Sequence, residues 1–384
     1  MPDPQRYGRL ILVLGCAACA SSLAGRAFDP LVGVIGAEFG VAAASVALLG
    51  TAFALPYALV QPVLGPVGDA LGKERVMRAC LVVLAAALAA SAFAPDLGTL
   101  AAVRVVAGGA AGGVFPLAIA VVGDRVPIER RQVALARLIV AGLTGSVAGG
   151  ALGALAAPLI GWRGVTLACA AVAIGALPLL RGAGPAGGRL QLAEAVARYR
   201  AIIGSAAARA LYIAVFVEGA LFHGVFPFLA PLFAARSGGT GAAEAGWVII
   251  AFAAGGFVFA ALAPALLRGL GQGRMVMLGG AMGAAGFAGL AAAPTAAAGA
   301  AGMLVAGLGF YMIHSSIQTR VTEVAPGARG SAVALHAFSF FLGQSLGPVL
   351  MGGMRAALGA EPAIVAAAVG LLVLSVWLAR GWAR

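Results

Sequence analysis

The chain has 384 residues, 62% of them hydrophobic and only 10% charged, with 58 glycines and a formal net charge of +12. That leaves too little polar side chain to clothe a water-soluble globule, so the composition excludes a soluble enzyme or binding domain and points to an integral membrane protein. In a soluble protein a charge of +12 would suggest a nucleic-acid partner; here its distribution has to be read before its sign.

The first apolar run, Leu10 to Val32, contains Val13-Leu14-Gly15-Cys16, which resembles a lipoprotein cleavage box behind a basic start. It is read instead as a first membrane span, because removing it would leave eleven spans and break the alternation of loop charge. Runs able to cross about 30 Å of hydrocarbon then follow at Val41 to Leu64, Met77 to Phe93, Leu97 to Val122, Ala134 to Ile160 and Val165 to Leu180. The polar stretch Arg181 to Arg209 comes next, a Gly/Pro-rich linker with a basic segment suited to a short surface helix. A second six runs cover Leu211 to Leu232, Ala245 to Leu267, Met275 to Ala293, Ala296 to Ile317, Ala332 to Met354 and Pro362 to Leu378.

With the N-terminus inside, 20 of the 25 Lys and Arg fall on one side of the membrane, against Arg163, Arg236 and Arg355 on the other and Arg26 and Arg104 within spans. The positive-inside rule places both termini in the cytoplasm, accounts for the net charge and removes the case for nucleic acid. Cys16, Cys19, Cys80 and Cys169 all lie in apolar runs, where Cys packs as a small hydrophobe. The Cys16-x-x-Cys19 spacing also has a redox or metal reading, but no His or carboxylate is near in sequence, and packing is preferred.

The halves repeat. An offset of 199 residues matches Gly72 and Arg75 with Gly271 and Arg274, Gly108 with Gly307, and Asp124 and Pro127 with Glu323 and Pro326; at 198, Gly145 to Gly150 meets Gly343 to Pro348. The expected organisation is an N-terminal six-helix bundle (1–180), a linker (181–208) and a C-terminal six-helix bundle (209–384), facing a central path.

Gly65 to Val76, "GPVGDALGKERV", concentrates charge between the second and third spans. It resembles the signature loop of the major facilitator superfamily, G-x-x-x-D-x-x-G-[RK]-x-[RK], which Gly65, Asp69, Gly72, Lys73 and Arg75 match. The resemblance implies an all-α fold of twelve transmembrane helices in two pseudo-symmetric bundles, with this loop latching the cytoplasmic side shut while the outside is open. An ordinary basic loop would explain Lys73 and Arg75 but not Asp69 or the glycine spacing. In the second half Arg268 stands where Asp69 did, which implies a weaker latch. Arg104 with Gly108 looks like the fourth-span motif of twelve-span drug:proton antiporters, so the resemblance is to the drug:proton antiporter or sugar-efflux-like group. Their fifth-span motif, G-x-x-x-G-P-x-x-G-G, is decayed here to "GSVAGGALGA", which puts antiport in question, and a G-x-x-x-G-P occurs at Gly343 to Pro348 instead.

Ionisable groups at membrane depth are functional candidates by default. Arg26, Asp29 and Arg104 could meet within the N-terminal bundle, either as a packing cluster or with Asp29 carrying a proton and an Arg binding an anion. Glu218 is a further proton-site candidate, being deep and without a cation within one helical turn. His223 lies about 140° around the same helix; His314 and His336 follow in the tenth and eleventh spans, and a lone His is more often a packing donor. The proton-coupling set is therefore Asp29, Glu218 and Arg104. The substrate-binding set is Arg26, Tyr57, Gln61, His223, Tyr311, His314, Ser315 and Gln344, with Tyr212 and Gln318 as further polar lining. Trp162, Trp247 and Trp377 read as interface anchors.

No phosphate-cradling loop is present, since Glu74 follows Lys73 and Val67 replaces the first Gly, and the scattered His and acids do not converge as an enzyme requires. No cofactor or metal is expected. The resulting expectation is a monomeric inner-membrane secondary transporter whose partners are a small-molecule substrate, protons and the lipid bilayer, by efflux through proton antiport. The alternative is symport or uniport of an organic anion bound by Arg26 and Arg104.

Overall fold

The structure is a computed structural model that describes residues 4–41, 43–180, 192–237 and 242–382. Among these the regular elements are helices: α1 (Pro4–Arg26), α2 (Val32–Phe39), α3 (Ala43–Leu59), α4 (Gln61–Leu71), α5 (Lys73–Ser91), α6 (Leu97–Ala111), α7 (Phe115–Arg125), α8 (Ile128–Ala176), α9 (Leu192–Gly204), α10 (Ala206–Gly224), α11 (Leu229–Ser237), α12 (Ala242–Ala292), α13 (Ala296–Val324), α14 (Arg329–Leu358) and α15 (Ala360–Trp382). Among the described residues, nine helices pass as spans on length and apolarity alone, ten with the bent α3–α4 pair. The crossings number twelve because α12 holds two, broken at Gly271, and because α5 fails that test only through the charges in its first turns.

The breaks follow from local chemistry. The first span was expected to run to Val32, but α1 stops at Arg26 and a 3-10 turn spans Asp29–Leu31. Pro30 has no N–H and disfavours the helical region for Asp29, so Arg26 and Asp29 do not share one continuous helix. The second span bends by 49° between α3 and α4, where Pro56 and Pro62 withhold amides and Gln61 turns its Nε2 back to the Tyr57 carbonyl (3.2 Å). Gly112 and Gly113 separate α6 from α7, giving the fourth span two segments.

Chain contacts divide the protein into two compact units, Met1–Ile203 with Thr322–Phe338, and Gly204–Val321 with Ser339–Arg384. Residues 181–191 of the expected linker lie outside the described residues; the helix expected after them is α9, whose Tyr199 hydroxyl donates to the Pro62 carbonyl.

The repeat is visible in the backbone. Gly72 (φ 93°) and Gly271 (φ 69°), 199 residues apart, reverse the chain after the second and eighth spans; Gly161 (φ 69°) and Gly359 (φ 93°), 198 apart, do so after the fifth and eleventh. No other residue type has positive φ among the described residues, as the cost to a side chain there requires. Close approaches repeat as well. A methyl on Gly108 would overlap the Phe53 carbonyl, and one on Gly307 the Phe252 carbonyl; 53 and 252 are also 199 apart. Gly145 meets the Cys19 carbonyl as Gly343 meets that of Phe216. These glycines bring helix backbones into contact where lipid offers no hydrophobic drive for association.

Trp162 is buried, unlike the exposed anchor expected, whereas Trp247 and Trp377 are exposed. The left-handed Gly161 turns Trp162 inward, where it is 1% exposed and its Nε1 donates to Glu38 Oε2 (2.5 Å). Arg163 pairs with Glu38, lies over the Trp162 ring (4.3 Å) and donates to the Ala94 carbonyl (3.1 Å). The Arg163 and then the Trp162 hydrogen bonds hold the Glu38 carboxyl below its ordinary value of 4.5.

Gly108→Ala and Gly307→Ala should each lower the thermal midpoint, by about 1–3 kcal/mol of overpacking, while Gly150→Ala, with open space around it, should not. For Glu38 the sign is that of a depressed acid: its contribution is complete above 4.5 and is lost as pH falls through the lower folded value. The midpoint difference between wild type and Glu38→Gln should thus be constant from pH 7 to about 5 and shrink in stronger acid.

Candidate functional site

Three polar clusters occupy the helices. The first, in the Met1–Ile203/Thr322–Phe338 unit, is built around Asp69 near the end of α4. Its carboxylate accepts from the Gly330 N–H, the Ser331 N–H and the Ser331 hydroxyl, each at 2.8 Å, and so caps the N-terminus of α14, where helix amides lack internal partners. Gly65, one turn earlier, makes the approach feasible, since a Cβ there would lie 2.6 Å from that of Ala334. Lys73 bridges Asp69 and Asp124 (2.9 Å each), and Arg329 reaches Asp124 (3.1 Å) and the Thr322 carbonyl (2.8 Å). Arg131 pairs with Glu323 and donates to the Thr322 hydroxyl (3.1 Å), and Arg125 pairs with Glu74 (2.9 Å). Burial alone would lower the Lys73 pKa, but Asp69 and Asp124 outweigh it and hold it above 10.5, so the pair loses strength only as pH rises through that higher value.

Of the signature residues, Gly65, Asp69, Gly72 and Lys73 take part, whereas Arg75 is exposed and makes none of these contacts. Its neighbour Glu74 is the buried one. Ser331 and Thr322 carried no signal in the sequence; Asp124 and Glu323 did, through the repeat.

The second cluster is Arg104, fully buried in α6. Its guanidinium lies 4.1 Å from the Phe28 ring and 4.4 Å from that of Phe53, with Nη1 donating to the Ala24 carbonyl (3.2 Å) and Nε to that of Leu49 (3.5 Å). Because α1 ends at Arg26, Ala24 belongs to the last turn, whose carbonyls lack helix partners, and Arg104 supplies a donor and a positive charge to that end. Gly108, one turn on, lets the same face of α6 meet α3. Arg26 is exposed, and the side chain of Asp29 lies outside the described residues. Tyr57, half-buried, stacks on Phe53 at 6.3 Å, and Gln61 is buried with its amide turned back to the Tyr57 carbonyl of α3. His336 is buried in this unit too.

The third cluster lies in the Gly204–Val321/Ser339–Arg384 unit. Glu218 of α10 is fully buried, and its Oε2 is 2.9 Å from His314 Nδ1 on α13. His314 Nε2 in turn is 3.0 Å from Gln318 Nε2, one helical turn on. Gly219 beside Glu218 holds α10 against α14, since a Cβ there would sit 2.6 Å from the Phe340 carbonyl and 3.2 Å from Gln344 N. The His314 ring stacks on Phe310 (5.1 Å) and packs against Phe340 (4.8 Å). His223 is surrounded by the rings of Phe226, Phe340, Phe310 and Phe252 at 5.0, 5.3, 5.4 and 6.1 Å. Tyr311 is buried against Phe310 (4.9 Å), and Ser315 is fully buried. Glu218 and His314 stand 96 residues apart, and the sequence put them in different roles. An acid and an imidazole in hydrogen-bond contact can accept, hold and pass a proton, and the amide can bond the other ring nitrogen.

The sequence profile of the Major Facilitator Superfamily matches residues 14–348. Among solved structures, the human organic anion transporter MFSD10 (TETRAN) superposes with a TM-score of 0.80 at 20% identity, over 98% of this chain and 100% of that one. The proton:xylose symporter XylE bound to 6-bromo-6-deoxy-D-glucose gives 0.76 at 14% identity, over 97% and 95%. The E. coli fucose:proton symporter FucP gives 0.77 at 14%, over 97% and 98%. At these identities the likeness is one of fold. No curated protein sequence matches.

Asp69→Asn replaces one acceptor by a donor facing the α14 amides and should cost about 1.5–3 kcal/mol. Hydrogen exchange of the Gly330–Ser331 peptide should accelerate in that variant and stay at the wild-type rate in Arg75→Ala.

Proposed function

We propose, for a chain that belongs to the Major Facilitator Superfamily and is therefore a multi-pass secondary transporter rather than an enzyme, that transport is proton-coupled export of a small amphiphilic molecule by alternating access. The observation that carries the coupling is the Glu218–His314 contact: a fully buried carboxylate paired with an imidazole at 2.9 Å. An acid at that depth is tolerated only with a partner, and a partner that itself titrates lets the pair change its proton count without leaving a bare charge in hydrocarbon. The aromatic rings around His223 and His314 supply an apolar surface of the kind an amphiphile needs, with Tyr311, Ser315 and Gln344 as polar lining. Asp69, with Lys73 and Asp124, is the latch that holds its end of the helices together in one state of the cycle. In this reading the protein works as a monomer in a bacterial-type inner membrane, with both termini and the latch on the cytoplasmic side, as the charge asymmetry of the loops supports. The six-plus-six division at the 181–208 linker supplies the two moving bodies.

A second reading, movement of an organic anion, is favoured by the likeness to MFSD10, an organic anion transporter, and by the exposed Arg26. Arg104 supports it less, because its described donors already face the Ala24 and Leu49 carbonyls, and its proposed role is to join α1, α3 and α6.

Purified protein in proteoliposomes with an internal pH dye separates the readings. Lipophilic cations or neutral amphiphiles should drive proton movement, and Glu218→Gln should reduce it at least about tenfold while leaving substrate exchange without a gradient, as loss of a coupling group predicts. Asp29→Asn tested alongside assigns that residue. Full proton-coupled flux in Glu218→Gln sinks the coupling assignment, and flux of organic anions alone, lost in Arg26→Ala, selects the second reading.

A further inference from the structure

Gln318 stands at the far end of the Glu218–His314 pair, and its chemistry restricts what the ring can be. A neutral imidazole carries one N–H and one lone pair, and a carboxamide nitrogen can only donate. With Gln318 Nε2 3.0 Å from His314 Nε2, the ring nitrogen there must be the acceptor, which leaves the ring proton on Nδ1, 2.9 Å from Glu218 Oε2. Two buried oxygens in this series have no hydrogen-bond partner among the described residues, Glu218 Oε1 and Gln318 Oε1. A buried acceptor without a partner costs about 1–3 kcal/mol.

We infer that Gln318 is a positioning residue that sets the tautomer of His314 and, by turning its amide over, admits a proton to Glu218. The inference rests on the proton role proposed for the Glu218–His314 pair. A proton from the coupling gradient bonds to Nε2; the Nδ1–H bond breaks as its proton passes to Glu218 Oε2; the carboxylate becomes a neutral acid and the ring is neutral again, now with its proton on Nε2. That ring nitrogen has changed from acceptor to donor, and it faces an amide nitrogen that also donates. Rotation of the Gln318 amide by about 180° removes the conflict, because Oε1, partnerless among the described residues before, then accepts from Nε2–H. The described groups against His314 include Glu218 from α10, Gln318 and Phe310 from α13 and Phe340 from α14; of these Glu218 is the one that carries charge. The rings keep competing water from the series, which makes the amide's orientation consequential.

The full chain has three histidines, at 223, 314 and 336, so 15N-histidine labelling gives few signals. Full-length protein in bilayers, with His314 assigned from His223→Phe and His336→Gln, should show Nδ1 protonated and Nε2 unprotonated for His314 at neutral pH, and a change of tautomer in acid. Gln318→Leu removes the donor while the Glu218 carboxylate still accepts from Nδ1; the share of His314 protonated on Nε2 should then rise above that of wild type, and the pH profile of proton-coupled flux should move by at least about half a unit. Gln318→Glu, where ionised, offers an acceptor only and should hold Nε2 protonated. A His314 protonated on Nε2 in wild type at neutral pH overturns the inference without any variant having to fold, and so does Gln318→Leu with an unchanged His314 spectrum, even if flux falls. Full coupled flux in Glu218→Gln with the tautomers as described sinks the transport role of the pair and leaves the tautomer control standing.

Discussion

Helices in hydrocarbon gain no hydrophobic energy from touching one another, so what they can do depends on how closely their backbones approach. Here the approach is made by glycine against carbonyl: Gly108 on Phe53, Gly307 on Phe252, Gly145 on Cys19, Gly343 on Phe216. The polar clusters hang on these contacts. Arg104 reaches the carbonyls of α1 and α3 because Gly108, one turn away, sets α6 against α3; Glu218 is held beside α14 because Gly219 has no side chain to keep the backbones apart.

The same constraint governs charge. A bare ion in the bilayer core costs several kcal/mol, and the buried ones among the described residues each have a specific occupation. Arg104 supplies the last turn of α1 with the donor that its premature end requires. Glu218 is matched to an imidazole. At the helix ends, where water is near, charges form a connected set in which Asp69 serves an N-terminus of α14 and shares Lys73 with Asp124. Each of these arrangements ties a side chain to the end or the middle of a particular helix, so a shift of that helix changes a hydrogen bond as well as a position.

The two halves share a frame but have diverged in what the frame carries. Positive-φ glycines and glycine–carbonyl contacts recur at offsets of 198 and 199, yet the Asp69 cap has no counterpart at Arg268, which is exposed, and the Glu218–His314–Gln318 series belongs to the second half alone. Duplication preserves backbone geometry because packing depends on it everywhere, while polar groups change at little cost wherever a partner can be gained or lost with them.

Composition and hydropathy determined the class of protein and the number of crossings, since the need to satisfy backbone groups within lipid leaves helices as the economical choice for such runs. The signature loop was legible as a charge-bearing motif because Gly65, Asp69, Gly72 and Lys73 are close in sequence. Proline made the end of α1 readable in principle at Pro30, and the apolar count overran it because it scores hydrophobicity, not missing amides. The sequence could not show that Asp69 would find the amides of Gly330 and Ser331, that Trp162 would turn inward to Glu38, or that Glu218 would meet His314, because these pairings span 124 to 262 or 96 residues and rest on helix rotation. Rotation is set by side-chain packing summed over whole helices, where a shift of one residue turns a group by about 100°. Which charges existed, and roughly how deep they lay, was therefore written in the sequence; which of them face each other was decided by the packed helices alone.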